Sequence, residues 1–153
     1  MSPGPSRDFL SERINSALAD LALVGRTSDI DNARMTDTRT LLIVAHVPSD
    51  NTQRLRDAVE AGAVSADADS IKIVVKTPFE ANADDVLSAK ALVLGTTENL
   101  GYMSGALKDF FDRVYYPCLD DTRGLPYALY IRAKLDGTGT RRAVESIASG
   151  LGW

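Results

Sequence analysis

The sequence predicts an α/β fold, a doubly wound parallel sheet with helices on both faces. Three observations carry that prediction. Short runs rich in Leu, Ile and Val recur between residues 40 and 131. Segments of helical period separate them. The runs are apolar throughout rather than alternating, as strands buried on both faces require.

The elements follow in order. LLIVAH (41–46) is the first strand. NTQRLRDAVEAG (51–62) is a helix with Leu55, Ala58 and Val59 on one face and Gly62 as its stop. IKIVV (71–75) is the second strand, and NADDVLSAK (82–90) holds a short helix. ALVLG (91–95) is the third strand. SGALKDFFDRVYY (104–116) is a helix, with Leu107, Phe110, Phe111 and Val114 at i, i+3, i+4 and i+7. Asp109 and Arg113 form an i,i+4 pair in the favourable order. PYALYI (126–131) is the fourth strand and TRRAVESIASGLG (140–152) the fourth helix.

Residues 1–38 stand apart and are expected to be an N-terminal extension, helical or weakly ordered, ahead of a domain at 39–153. DFLSERINSALADLALVG places Leu10, Ile14, Leu18 and Leu21 at helical spacing, with Gly25 as a stop. RTSDIDNARMTDTRT is polar, and Met35 would make a natural start. Residues 1–34 therefore read either as an upstream extension or as a docked extra helix. At the other end, the apolar fourth strand would lie at a sheet edge, which proteins usually avoid leaving open. A missing fifth strand, begun at Trp153, or a covering partner is expected.

Composition excludes several classes. A net charge of −4 argues against nucleic acid or an anionic membrane as partner. One cysteine, Cys118, rules out an internal disulfide framework and points to a reduced, cytoplasmic setting. No apolar run approaches the roughly 20 residues of a membrane span. The N-terminus lacks the basic-then-apolar order of a secretory signal. No metal-ligand spacing occurs.

In an open parallel sheet, ligands sit at the carboxyl ends of the strands, beside the point where strand order reverses. Three loops qualify: HVPSDNT, TTENLGYM and RAKLDGTGT. In the first, Ser49, Asn51 and Thr52 offer donors at a helix start, where free N–H groups favour an anion. They serve equally as helix caps. Asp50 would repel a phosphate unless it points outward. No GxxxxGK[ST] is present, and the first strand is not followed by GxGxxG. Gly137-Thr138-Gly139 follows the fourth strand instead. Strands ending in Ala-His and Leu-Gly do not suit a receiver domain.

Together the loops resemble the flavodoxin-like superfamily, most nearly its NAD(P)H-dependent FMN reductases and NAD(P)H:quinone oxidoreductases. The likeness covers residues 40–153. PSDNTQRL is similar to the family's FMN-phosphate loop. MSGALKDFFDR matches the family pattern at every defined position. The sequence departs where Pro-x-Tyr would stand, having Thr97 and Asn99, with Tyr102 later.

The resemblance implies strand order 2-1-3-4, with a fifth strand missing or truncated. It implies FMN as cofactor, NAD(P)H as co-substrate, and a quinone or similar small-molecule electron acceptor. A homodimer or homotetramer is the assembly it implies. His46, Ser49, Asn51 and Thr52 would hold the phosphate. Thr96, Thr97, Glu98, Asn99, Leu100 and Gly101 would line the ribityl chain and ring, with Tyr102 and Met103 covering the ring or packing the core. Arg132 and Gly137 would close its other side. No side chain need act as catalyst, because the chemistry is the flavin's. Two alternatives stand beside this: an electron carrier without a nicotinamide site, and a binding module that has lost FMN. Cys118, Phe110 and Phe111 read as structural.

Overall fold

The computed structural model describes residues 39–66 and 71–153. The expectations for residues 1–38 lie outside the described residues. The elements are β1 (Arg39–Ala45), α1 (Asp50–Ala66), β2 (Ile71–Lys76), α2 (Ala83–Ser88), β3 (Ala91–Asn99), β4 (Tyr102–Met103), α3 (Gly105–Cys118), β5 (Tyr127–Arg132) and α4 (Thr138–Leu151).

Four strands run parallel in the order β2-β1-β3-β5, which is 2-1-3-4 for the four strands the sequence predicts. The fold is α/β and flavodoxin-like. The register pairs Ala45 with Gly95, and Gly95 with Tyr130. Strand order reverses between β1 and β3, so the carboxyl edge of that pair is where a ligand site belongs.

One face of the sheet carries α2, α3 and α4. Leu42, Val44, Leu92 and Leu94 meet Val86, Leu107, Phe110, Phe111, Val114, Val144 and Leu151 there. The other face packs Leu41, Ile43, Ala45, Val93, Ala128 and Tyr130 with Val59 and Ala63 of α1. Each fully buried Leu or Phe contributes about 1.5–3 kcal/mol over exposure. The stripe on α3 therefore outweighs its exposed Asp109–Arg113 and Lys108–Asp112 pairs, which add a few tenths each. Arg113 does more than pair. Its guanidinium also donates to the carbonyls of Ala81 (2.8 Å) and Pro78 (2.5 Å), tying α3 to the loop before α2.

Four expectations are corrected. Helix α1 runs through Gly62 to Ala66, since one helical glycine costs only about 1 kcal/mol. Its buried face is Thr52, Val59 and Ala63, whereas Leu55 is 39% exposed and Ala58 is exposed. Strand β3 extends to Asn99 and turns back into β4, so residues 96–103 are mostly a hairpin rather than a loop. Trp153 does not begin a strand. Its N–H donates to the Ala148 carbonyl and that of Gly152 to Ser149, while Gly152 takes φ 74°. That is the Schellman ending of a helix. The indole then turns onto Phe111 and Tyr127, and its N–H donates to Thr122 Oγ1 at 2.7 Å. No described strand pairs with the outer edge of β5.

Candidate functional site at the carboxyl edge of the sheet

The β1 loop ends in a closed hydroxyl cap. The Ser49 N–H donates to Thr52 Oγ1 (3.0 Å), and Thr52 Oγ1 donates to the Ser49 carbonyl (2.7 Å). Thr52 is 5% exposed, so its hydroxyl proton is already spent on the turn. The side chain of Thr52 thus acts as a cap, one of the two roles the sequence leaves open for it. Ser49, Asp50 and Asn51 are exposed at the start of a helix of 17 residues. Their N–H groups and the helix dipole face the edge.

His46 is held by its backbone, which donates to the Gly95 carbonyl at 2.9 Å. Its Nδ1 is buried without a partner, and burial lowers its pKa below the usual imidazole value.

Beside it, β3 ends in a hairpin. Glu98 pairs with Met103 and Asn99 with Tyr102, joined by Leu100 and Gly101. Both turn residues have positive φ, 54° and 76°, as a type I′ turn requires. Gly101 takes that conformation freely. Leu100 does so against the steric preference of an L side chain, and it is fully exposed.

Hydroxyls brace the base of the hairpin. Thr96 Oγ1 lies 3.1 Å from Ser104 Oγ and accepts from the Ser104 N–H (3.2 Å), while Ser104 Oγ caps the Leu107 N–H (3.2 Å). Thr96 and Met103 are 2% exposed, and Met103 belongs to the core. Their side chains support the hairpin from below: Thr96 is buried under the hairpin rather than at the edge, where the resemblance has it line the ribityl chain, and Met103 takes the core-packing alternative of its two expected roles. The hairpin tip rests on α4. An added Cβ on Gly139 would lie 2.1 Å from the Gly101 carbonyl oxygen, so only glycine permits this approach.

Thr97 faces the other way. It is 8% exposed, and its Oγ1 has no partner. Arg132 stands opposite Thr97 in register and is exposed. Gly137 is buried and left-handed at the cap of α4. Glu98 is half-buried; Asn99, Gly101 and Tyr102 are exposed.

The structure therefore gathers His46, Ser49, Asn51, Thr97, Glu98, Asn99, Leu100, Gly101, Tyr102, Arg132 and Gly137 along one edge. Sequence reasoning missed Gly95, Tyr130, Ser104 and Gly139. The Tyr130 ring lies over Gly95, and its buried hydroxyl has no partner either. Burial pushes the Tyr130 pKa up to about 12. Ser104 was legible as a helix cap before ALKDFF, whereas the close approaches at Gly95 and Gly139 left no local signal.

A buried polar atom without a partner costs about 1–3 kcal/mol. Two such atoms, His46 Nδ1 and Thr97 Oγ1, sit at the ends of neighbouring strands. With helix N–H groups on one side and a turn on the other, they fit a polar ligand that carries an anionic end. FMN has that character.

The Cys118 thiol is buried and its pKa is raised, first by burial, as befits a packing residue. Among the described residues, no helix is long and apolar enough to cross a membrane.

This fold and edge define the flavodoxin-like class of α/β proteins. No family model matches the chain. A flavodoxin from Aquifex aeolicus (strain VF5) is 32% identical over 74 residues, a stretch that spans 48% of this chain and 39% of the flavodoxin. The crystal structure of an oxidoreductase from Corynebacterium diphtheriae superposes with a TM-score of 0.61, covering 76% of both chains at 17% identity. That likeness is one of fold.

Proposed function

We propose that the chain binds FMN at this edge and acts as an NAD(P)H-dependent flavin oxidoreductase, passing electrons to a quinone or similar small acceptor. The observation that supports it best is the pair of unpartnered buried atoms, His46 Nδ1 and Thr97 Oγ1, at the strand-order switch. The flavodoxin and oxidoreductase likenesses point the same way.

Bound FMN would supply the hydride and electron chemistry. The chain's own residues bind and orient. N–H groups of residues 50 and 51 suit the phosphate, with the Ser49 hydroxyl beside them. Asp50 is exposed, at the first helical position, where a carboxylate is favoured by the dipole. The hairpin, fixed by Ser104 below and Gly139 beside it, presents backbone to the ring. Arg132 offers a cation for a flavin carbonyl or a nicotinamide phosphate. A cytoplasmic setting and a homodimer or homotetramer belong to this reading.

A second reading is a flavodoxin-type electron carrier, favoured by the sequence likeness to a flavodoxin. Anaerobic addition of NADH or NADPH to the FMN-loaded protein separates the two. Bleaching of the flavin absorbance supports the oxidoreductase. A flavin that stays oxidised with both nucleotides leaves the carrier.

A further inference from the structure

Two loops at the carboxyl edge end in aliphatic side chains that stand in water. Leu100 is at the apex of the 98–103 hairpin and is fully exposed. Leu135 lies in the connection from β5 to α4 and is 84% exposed. That connection folds back on itself, since an added Cβ on Gly137 would lie 3.5 Å from the Ala133 Cβ, and Leu135 sits at its tip. The two loops meet where the Gly101 carbonyl rests on Gly139. Tyr102, also exposed, follows on the hairpin. Cations surround the tips. Arg132, Lys134, Arg141 and Arg142 are all exposed. Against Asp136 they give residues 132–142 a net charge of +3, in a chain of net −4. Glu145, 3.5 Å from Arg141, offsets part of it. The charge of the whole chain, which argues against an anionic surface, hides this patch.

We propose that this rim seats the protein on an anionic lipid bilayer, with Leu100 and Leu135 in the boundary between headgroups and acyl chains and the four cations against lipid phosphates. Two observations favour a bilayer over a protein partner. The leucines stand on separate loop tips. A rigid partner needs about 800 Å² of matched surface on each side, whereas a bilayer admits apolar side chains about 5–10 Å deep wherever they project. Leu100 also keeps a left-handed backbone, φ 54°, with its side chain wholly in water. Burial among acyl chains offsets that cost. Basic residues beside apolar tips are what an anionic leaflet attracts, and a tyrosine suits the interface between them.

The proposal is independent of the flavin reading, and its test uses full-length protein without added cofactor. Vesicles of phosphatidylcholine and phosphatidylglycerol in equal parts are expected to carry the protein into the pellet, and vesicles of phosphatidylcholine alone to leave it in solution. Leu100→Ser with Leu135→Ser is expected to weaken partition about tenfold or more. Lys134→Glu with Arg142→Glu is expected to weaken it about tenfold or more as well. Tyr116→Ser is the control, an 81% exposed side chain near the far end of α3, and should change nothing. Leu135→Trp reports the contact directly, since its emission should shift to the blue on the mixed vesicles. No pelleting with the mixed vesicles, equal pelleting with both compositions, a leucine pair that binds like the control, or an unshifted Leu135→Trp emission overturns the proposal. So does a dimer that the leucine pair converts to monomer, because a second copy then occupies the rim. If the leucine pair fails to fold, the Leu135→Trp emission decides alone.

Discussion

Gly95 of β3 lies directly beneath the ring of Tyr130 in the neighbouring strand. An added Cβ would sit 2.2 Å from the Tyr130 Cζ and hydroxyl oxygen. The ring thus takes the space of a missing side chain at the end of the sheet, beside the His46 backbone. Gly95→Ala is expected to destabilise the protein by about 1–3 kcal/mol in urea unfolding, through overpacking. Paired with Tyr130→Ala it should cost less than the sum of the two single changes. Tyr130→Phe removes a buried hydroxyl without a partner and is expected to keep or raise stability.

The Gly139 contact makes a second prediction. A Cβ there meets backbone oxygen of Gly101, which cannot rotate away as a side chain does. Gly139→Ala should lift the hairpin off α4. Stability is expected to fall by about 1–3 kcal/mol, and FMN affinity should fall with it. Unfolding and flavin titration of the same sample check both.

Leu100 is held at φ 54° with its side chain in water. Its left-handed backbone costs about 1–2 kcal/mol against glycine. Leu100→Gly is therefore expected to raise the melting midpoint rather than lower it, because no packing is lost. A lower midpoint would show that the leucine has a contact of its own.

Burial depresses the His46 pKa in the folded protein. Between the folded value and the ordinary one near 6.5, the unfolded chain binds more protons than the folded chain. Stability from this group is present above about pH 6.5 and is lost as pH falls through the folded value. His46→Gln should flatten that slope. Urea midpoints of both proteins between about pH 8 and pH 5 test it. Bound FMN should move the His46 pKa upward, since its phosphate is anionic.

Much of this architecture was legible in sequence, because parallel strands buried on both faces write themselves as continuous apolar runs. LLIVAH, ALVLG and YALYI all appear as strands in the expected order. The period of Leu107, Phe110, Phe111 and Val114 marked α3 unambiguously. The hairpin was not legible, since Thr96 to Asn99 are polar and only Gly101 of its turn is a residue that a type I′ turn favours. Thr52 and Met103 show the other gap. A hydroxyl at a helix start caps or binds, and a methionine covers a ring or fills a core, according to tertiary contacts that spacing does not encode. Tyr130 over Gly95 is of the same kind, because it joins residues from two strands.

The most direct test of the central claim is titration of the purified protein with FMN, followed by flavin fluorescence. The account predicts saturable quenching at micromolar protein or below, weakened by Thr97→Val and by Arg132→Ala. Flavin fluorescence that stays unchanged throughout would contradict it.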